Sequence, residues 1–390
     1  MKAPPAKPRN VLHFAGDSDT SGFFPQLARW HQRGNYRMLF GTLYPTAPWL
    51  EEYMTSQGVP SFSLGCRGRL GFPLAIFRLA RLLRKQHVDI LHTHLFEPSV
   101  VGLVAGKLAG TPMLFLTRHY SDYHTRIHKG WHVRADQLCT ALSHRVVAVS
   151  RHTAQHLTEV EKTPPAKVRV VYNGIDFDRV KPSGPDARAR VRAAEGLREA
   201  NVVLVAARLH PEKGYEYLLD AIPVLREKSK KPLVLLVAGR GPFEAAYRER
   251  TRRLGCEEVV RFLGFRRDLP DLMVASDVFV LPSVAEAFGL VVVEALYLGV
   301  PVVATRVGGI PEIVEEDTDG LLVPPANSEA LVCALERLLA DPEERARLTT
   351  TGRARVTARF GFERMVREYE ALYEELDVAH PGSYVPFHGA

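Results

Sequence analysis

Two glutamates stand eight residues apart in the otherwise apolar run PSVAEAFGLVVVEALYLGVPVVAT, residues 282–305: Glu286 and Glu294. A buried, unpaired carboxylate is costly, so each needs donors: ligand hydroxyls, a cation or backbone amides. A core arginine is the purely structural alternative. Upstream, VVLVAARLHPEKGYEYLLDAI places Arg208 at the end of an apolar strand and Lys213-Gly214 at the start of a helix. Two cations beside the free amides of a helix start make an anion site; an ordinary solvated turn is the other reading. The next apolar run ends LVAGRGP, where Gly239 and Gly241 allow a backbone to approach a ligand closely. It is not a dinucleotide fingerprint, because Glu244 stands where the third glycine belongs, and no GxxxxGK[ST] phosphate loop is present.

The first half supplies histidines. DILHTHLFEP carries His92 and His94 at a strand end, and LFLTRHYSD carries His119 at the next. An HxH pair is a metal motif only with a third ligand at suitable spacing, and none is evident, so no metal is expected. Two DxD triplets occur, Asp17-Ser18-Asp19 and Asp317-Thr318-Asp319. The second sits in the acidic turn EEDTDG and reads as turn chemistry; the first follows a strand.

These residues need a scaffold, and the hydrophobic pattern describes one. Short Val/Ile/Leu runs at 11–15, 37–41, 89–92, 113–117, 145–149 and 168–171 predict strands. Amphipathic segments at 22–33, 72–86 and 100–108 predict helices between them. The alternation resumes with strands at 202–206, 233–238, 259–262, 278–281, 301–304 and 321–323, and helices at 215–228 and 329–339. Near-continuous apolar strands alternating with helices imply parallel sheets covered on both faces. The expected architecture is α/β: two doubly wound Rossmann-like domains facing a cleft, with ligands at the carboxyl ends of the strands. The expected boundaries are 1–180, a polar linker at 181–200, 201–360, and a C-terminal helix and tail at 361–390 returning toward the N-terminal domain.

In order and placement, Arg208-x4-Lys213, Gly239-x-Gly241-Pro242 and Glu286-x7-Glu294 resemble the retaining glycosyltransferases of family 4, with the GT-B fold. YNGID at 172–176, FLG at 262–264, VGGIPEIV at 307–314 and GLLVPP at 320–325 fit the same pattern. Two departures stand out. Only Gly22 lies where the family carries paired glycines after its first strand, and EAFG at 286–289 replaces Glu-Gly-Phe-Gly. The resemblance implies a metal-independent transfer of a sugar from a nucleotide-sugar, a UDP- or GDP-sugar, to a glycan, lipid-linked or other hydroxyl acceptor, with no cofactor. It implies that Arg208 and Lys213 hold the diphosphate and that Glu294 takes the ribose hydroxyls. Glu286 would face the transferred sugar, with the amides of Phe288 and Gly289 nearby. His119 would reach that sugar from the acceptor side, as a fourth catalytic residue beside Arg208, Lys213 and Glu286. Gly22, Gly239 and Gly264 would line the donor, with the base beside 262–267. A sugar-nucleotide epimerase and a non-catalytic glycan-binding protein are the alternatives.

Composition bounds the setting. The 390 residues carry a net charge of +7, unevenly spread: 23 Lys+Arg against 12 Asp+Glu in 1–180, and 28 against 32 in the rest. The basic half suggests an anionic partner: acidic glycan, phosphate, anionic lipid or nucleic acid. Under the family resemblance no nucleic acid is expected. The segment RGRLGFPLAIFRLARLLRKQH, 67–87, combines basic residues with leucine and phenylalanine at helical spacing. It is expected either to lie on an anionic membrane surface or simply to pack on the sheet. The four cysteines form no CxxC pair, and MKAPPAKPRN is polar, so a reducing, cytoplasmic setting is expected, at the inner face of the membrane if 67–87 binds lipid.

Overall fold

A computed structural model describes residues 8–16, 23–31, 36–120 and 130–379. The chain separates into two compact units, Met1–Tyr172 with Glu363–Ala390, and Asn173–Phe362. The first holds strands β1 (Arg9–Ala15), β2 (Tyr36–Thr42), β3 (Ser61–Ser63), β4 (Ile90–His94), β5 (Met113–Arg118), β6 (Arg145–Ala148) and β7 (Val168–Val170). They form one parallel sheet in the order β3-β2-β1-β4-β5-β6-β7. The second holds β8 (Asn201–Ala206), β9 (Leu233–Ala238), β10 (Val260–Gly264), β11 (Val278–Leu281), β12 (Val302–Thr305) and β13 (Leu321–Val323). These pair in parallel in the order β10-β9-β8-β11-β12-β13.

Both sheets start at their centre, run outward one way, then return and run the other. The reversal falls between β1 and β4 in one unit and between β8 and β11 in the other. Loops leaving those neighbouring strands part to opposite faces, which opens a crevice at their carboxyl ends. In the second unit the central strands are apolar through their middles: Val202–Val205 and Val278–Val280 are fully buried, as a sheet covered on both faces requires. In the first unit the helix Phe96–Ala109 presses close to its sheet. A Cβ on Gly102 would come within 2.6 Å of Thr93, and one on Gly106 within 2.6 Å of Leu114.

The predicted strands and helices are present, with ends shifted by a few residues. The strand β3 has no counterpart in the reading because it is a three-residue Ser-Phe-Ser edge without an apolar run. The segment 181–200 is not a free linker. Its helix, Ala187–Ala194, is pinned to the second unit through Arg188 and Arg192, which pair with Asp277 at 2.7 and 3.2 Å. The backbone amide and hydroxyl of Ser183 bond Asp271. Burial alone would raise the Asp277 carboxyl, but the amide of Val202 and the two guanidiniums hold it below its usual range. The chain re-enters the first unit at Glu363 in the helix Phe362–Ala379. There the Tyr373 hydroxyl meets Nδ1 of His92 at 2.7 Å, and Glu375 pairs with Arg145 and Arg169.

Candidate active site

At the switch point of the second unit, the loops after β8 and β11 are laced together. The amides of Val284 and Ala285 donate to the carbonyl of Glu212 at 2.9 and 3.2 Å. Gly214 takes a left-handed conformation with its Cα against Pro282, where a Cβ would lie 2.0 Å from the carbonyl oxygen. This close approach brings Lys213 to Glu286, and Nζ and the carboxylate are 2.6 Å apart with both side chains mostly buried. A third loop, after β12, closes on the same place. Gly308, at φ +53°, has its Cα so near the Glu286 carbonyl that a Cβ would lie 1.5 Å from the oxygen. The amide of Gly309 donates to that oxygen at 3.3 Å. The VGGIPE motif is therefore explained by the backbone that it supports.

Arg208 differs from Lys213. Its side chain is 61% exposed, and its guanidinium pairs with Glu212 at 2.5 Å. At Gly239 and Gly241, expected to admit a ligand, the space that a side chain would need is taken by the chain itself. Cβ atoms there would lie 2.0 and 2.2 Å from the carbonyls of Ala207 and Leu209, on either side of Arg208. Their role is to let the loop after β9 support the loop that carries the arginine. Gly264 ends β10 and accepts the Gly239 amide at 2.8 Å.

Phe288 packs its ring into the core, edge-on to Phe360. Gly289 caps the helix Leu290–Tyr297, directing free amides toward the same strand ends. Glu294 lies in that helix between buried Val293 and Ala295. Among the described residues its carboxylate has no hydrogen-bond or ion-pair partner, and burial pushes its pKa up to about 7. A core arginine is thus not its partner.

In the first unit, His119 follows β5 and lies beside His94. Nδ1 of His94 is 3.1 Å from Nε2 of His119, and Nε2 of His94 is 3.0 Å from Nδ1 of His13. His13 is the residue that the sequence reading missed. Its signal was a single polar residue inside the apolar VLHFA, and its meaning depends on β1 pairing with β4, which sets His13 opposite His92. His13, His92 and His94 bring ring nitrogens within 4.8 Å of one another. They do not fit a metal well: His92 gives its nitrogens to the hydroxyls of Tyr373 and Thr117 at 2.7 and 2.6 Å, and His94 gives both of its own to imidazoles. Beside His119, Arg118 is fully buried and pairs with Asp136 and Glu161 at 3.1 Å each, anchoring the end of β5. Asp317 sits in a turn paired with Arg337, and Asp319 is buried against Arg355, so that DxD is structural. Asp17, Asp19 and Gly22 lie outside the described residues.

Two family models match the chain: glycosyl transferases group 1 over residues 188–355, and glycosyltransferase family 4 over residues 26–179. A D-inositol 3-phosphate glycosyltransferase of Saccharomonospora viridis is 31% identical over 80% of this chain and 76% of its own. A UDP-Gal:alpha-D-GlcNAc-diphosphoundecaprenol alpha-1,3-galactosyltransferase of Escherichia coli is 26% identical over 68% of this chain and 70% of its own. Among solved structures, HepE of Anabaena in complex with UDP and glucose superposes with a TM-score of 0.79 at 26% identity, covering 94% of this chain and 99% of that one.

Proposed function

Because the chain belongs to the group 1 glycosyl transferases, of the family 4 type with the GT-B fold, we propose that it moves a hexosyl unit from a UDP-sugar to a hydroxyl acceptor, with retention and without a divalent metal. The observation that carries this reading is the Lys213–Glu286 contact at the ends of β8 and β11, with Glu294, which has no partner among the described residues, in the following helix. Arg208 and Lys213 neutralise the diphosphate as it leaves, taking the place that a metal ion holds elsewhere. Glu294 accepts from the ribose hydroxyls, Glu286 faces the transferred sugar, and His119 takes a hydroxyl of that sugar, as the family resemblance implies. The C1–phosphate bond breaks, the acceptor oxygen bonds to C1 on the same face, and its proton passes to the departing phosphate oxygen. The products are the glycoside and the nucleoside diphosphate. UDP is the nucleotide that the Anabaena structure and the E. coli relative share.

The acceptor is a lipid-linked or membrane-proximal glycan, for the surface of the helix Phe72–Lys85 favours an anionic bilayer. Leu79 and Leu83 pack into the core, so this part of the expected apolar face covers the sheet. Leu70, Leu74 and Phe77 instead point outward, on the stripe that continues through Arg78, Arg81, Arg84 and Lys85. An exposed apolar end beside a row of cations is the pattern of a surface-bound helix. No helix among the described residues is long and apolar enough to cross a membrane.

The test is calorimetric titration with UDP, GDP and ADP, followed by transfer assays with the matching sugar nucleotides and determination of the product's anomeric configuration. Tight binding of UDP and a product with the donor's configuration are expected. An epimerised donor without a glycoside, or no nucleotide binding, overturns the reading.

A further inference from the structure

Three imidazoles in the first unit form an unbroken row, His119–His94–His13, with nitrogen–nitrogen distances of 3.1 and 3.0 Å. His13 and His94 are fully buried on adjacent strands. The ring of His94 lies against Phe23 and Phe24, with centroids 5.5 and 5.3 Å away, and stacks on His92 at 4.5 Å. A neutral imidazole has one N–H and one bare nitrogen. Since His94 bonds an imidazole at each nitrogen, it must donate to one and accept from the other, so the bonds on its two sides share one direction. Burial first, and then the three neighbouring histidines, hold His94 well below its usual pKa. Burial holds His119 at about 4, so both rings are neutral near pH 7.

We propose that the row runs inward and that His13 and His94 are positioning residues which fix His119 as the Nε2–H tautomer, leaving its Nδ1 a bare acceptor for a hydroxyl of the transferred sugar. In this direction Nε2–H of His119 donates to Nδ1 of His94, and Nε2–H of His94 donates to Nδ1 of His13. Both donors then carry the proton on Nε2, the favoured site in free histidine. The opposite direction would require the disfavoured Nδ1–H form of both His13 and His94, and would turn an N–H outward. Nδ1 of His119 has no partner among the described residues, so it is the open end of the row. A sugar hydroxyl is a donor that a bare nitrogen can receive. The inference rests on the reading that His119 faces the transferred sugar. What it adds is that two buried residues decide what His119 presents there.

The first test is a long-range proton–nitrogen correlation spectrum of the full chain labelled with ¹⁵N-histidine. A single His119 tautomer with the proton on Nε2 is expected; a proton on Nδ1, or signals averaged between the two forms, overturns the proposal. The second compares His94→Asn with His94→Leu. The asparagine amide can reach the Nδ1 position and accept from His119, whereas leucine fills the space without a bond. His94→Leu should lower kcat by about 10–100-fold, the usual effect of losing the partner that orients a functional histidine, with KM for the sugar nucleotide little changed. His94→Asn should recover much of that loss. Equal activity of His94→Leu and wild type, or leucine outperforming asparagine, overturns the positioning role. If His94→Leu fails to fold, the wild-type spectrum alone decides. Should His119→Ala transfer at the wild-type rate while the spectrum is as expected, it is the placement of His119 at the sugar that fails, not the row.

Discussion

Glu294 is the residue whose environment makes the sharpest demand. Among the described residues its carboxylate has no protein partner, and burial, which penalises the charge, pushes its pKa up to about 7. A ribose binds best to the ionised form, so UDP affinity should rise from pH 6 to pH 8. The rise is about fivefold if the ribose bonds draw the pKa down by one unit. Glu294→Gln should bind UDP more weakly and lose that pH dependence, which titration calorimetry at three pH values would read. The raised pKa also means that the folded state binds a proton which the unfolded state has already released. Stability therefore falls as pH rises from about 4.5 through 7, and Glu294→Gln should remove that part of the fall. Arg208, with its side chain 61% exposed, is the residue proposed to meet the leaving diphosphate. Its loss should raise the barrier by roughly 3–4 kcal/mol, or about 10²–10³ in rate. Turnover of Arg208→Ala within threefold of wild type would remove it from the mechanism.

The elements determine how Glu286 works. Its carboxylate already holds Lys213, so in the free protein the two charges compensate each other. Glu286→Gln releases Lys213 and should leave UDP affinity intact or higher, while turnover with the whole donor drops. A parallel loss of UDP affinity would contradict the separation of its task from that of Glu294. The backbone beneath Glu286 is as constrained as its side chain. Gly308→Ala places a methyl group where the Glu286 carbonyl is, at a φ that disfavours alanine. Either the loop after β12 or the loop after β11 must move, so this variant should lower both Tm and kcat. An unchanged kcat would show that the loops yield without disturbing the Lys213–Glu286 contact.

Across the whole chain, charge is divided between the halves, with the excess of cations in 1–180. Each basic residue close to an anionic bilayer contributes about 1 kcal/mol, so the four on the stripe from Arg78 to Lys85 can hold the protein there reversibly. Sedimentation with vesicles should require anionic lipid and weaken between about 50 and 500 mM salt as the charges are screened. Binding should weaken again when Arg81 and Arg84 are changed to Glu. Absence of binding at low salt would favour a soluble acceptor. If the cations at 208 and 213 serve the diphosphate as proposed, a chelator should leave initial rates unchanged; strict dependence on manganese or magnesium would return attention to Asp17 and Asp19.

The strands, most of the helices and the order of Arg208, Lys213, Glu286 and Glu294 were legible in the sequence, because hydrophobic period and loop chemistry are local properties. The same reading marked Glu294 as a carboxylate in need of donors, but left ligand hydroxyls, a cation, backbone amides and a core arginine open. It could not pair Lys213 with Glu286, which are 73 residues apart, because that contact depends on β8 lying beside β11. At Gly239 and Gly241 a glycine's freedom is visible in sequence, but the carbonyls of Ala207 and Leu209 that exclude a side chain there are not. The helix Phe72–Lys85 carried one amphipathic pattern, and only packing divided its apolar residues into Leu79 and Leu83 for the core and Leu74 and Phe77 for the surface. His13 meets His94 across 81 positions, and Tyr373 meets His92 across 281. Such contacts are set by strand order and by the return of the chain to its first unit, properties that no local pattern of residues encodes.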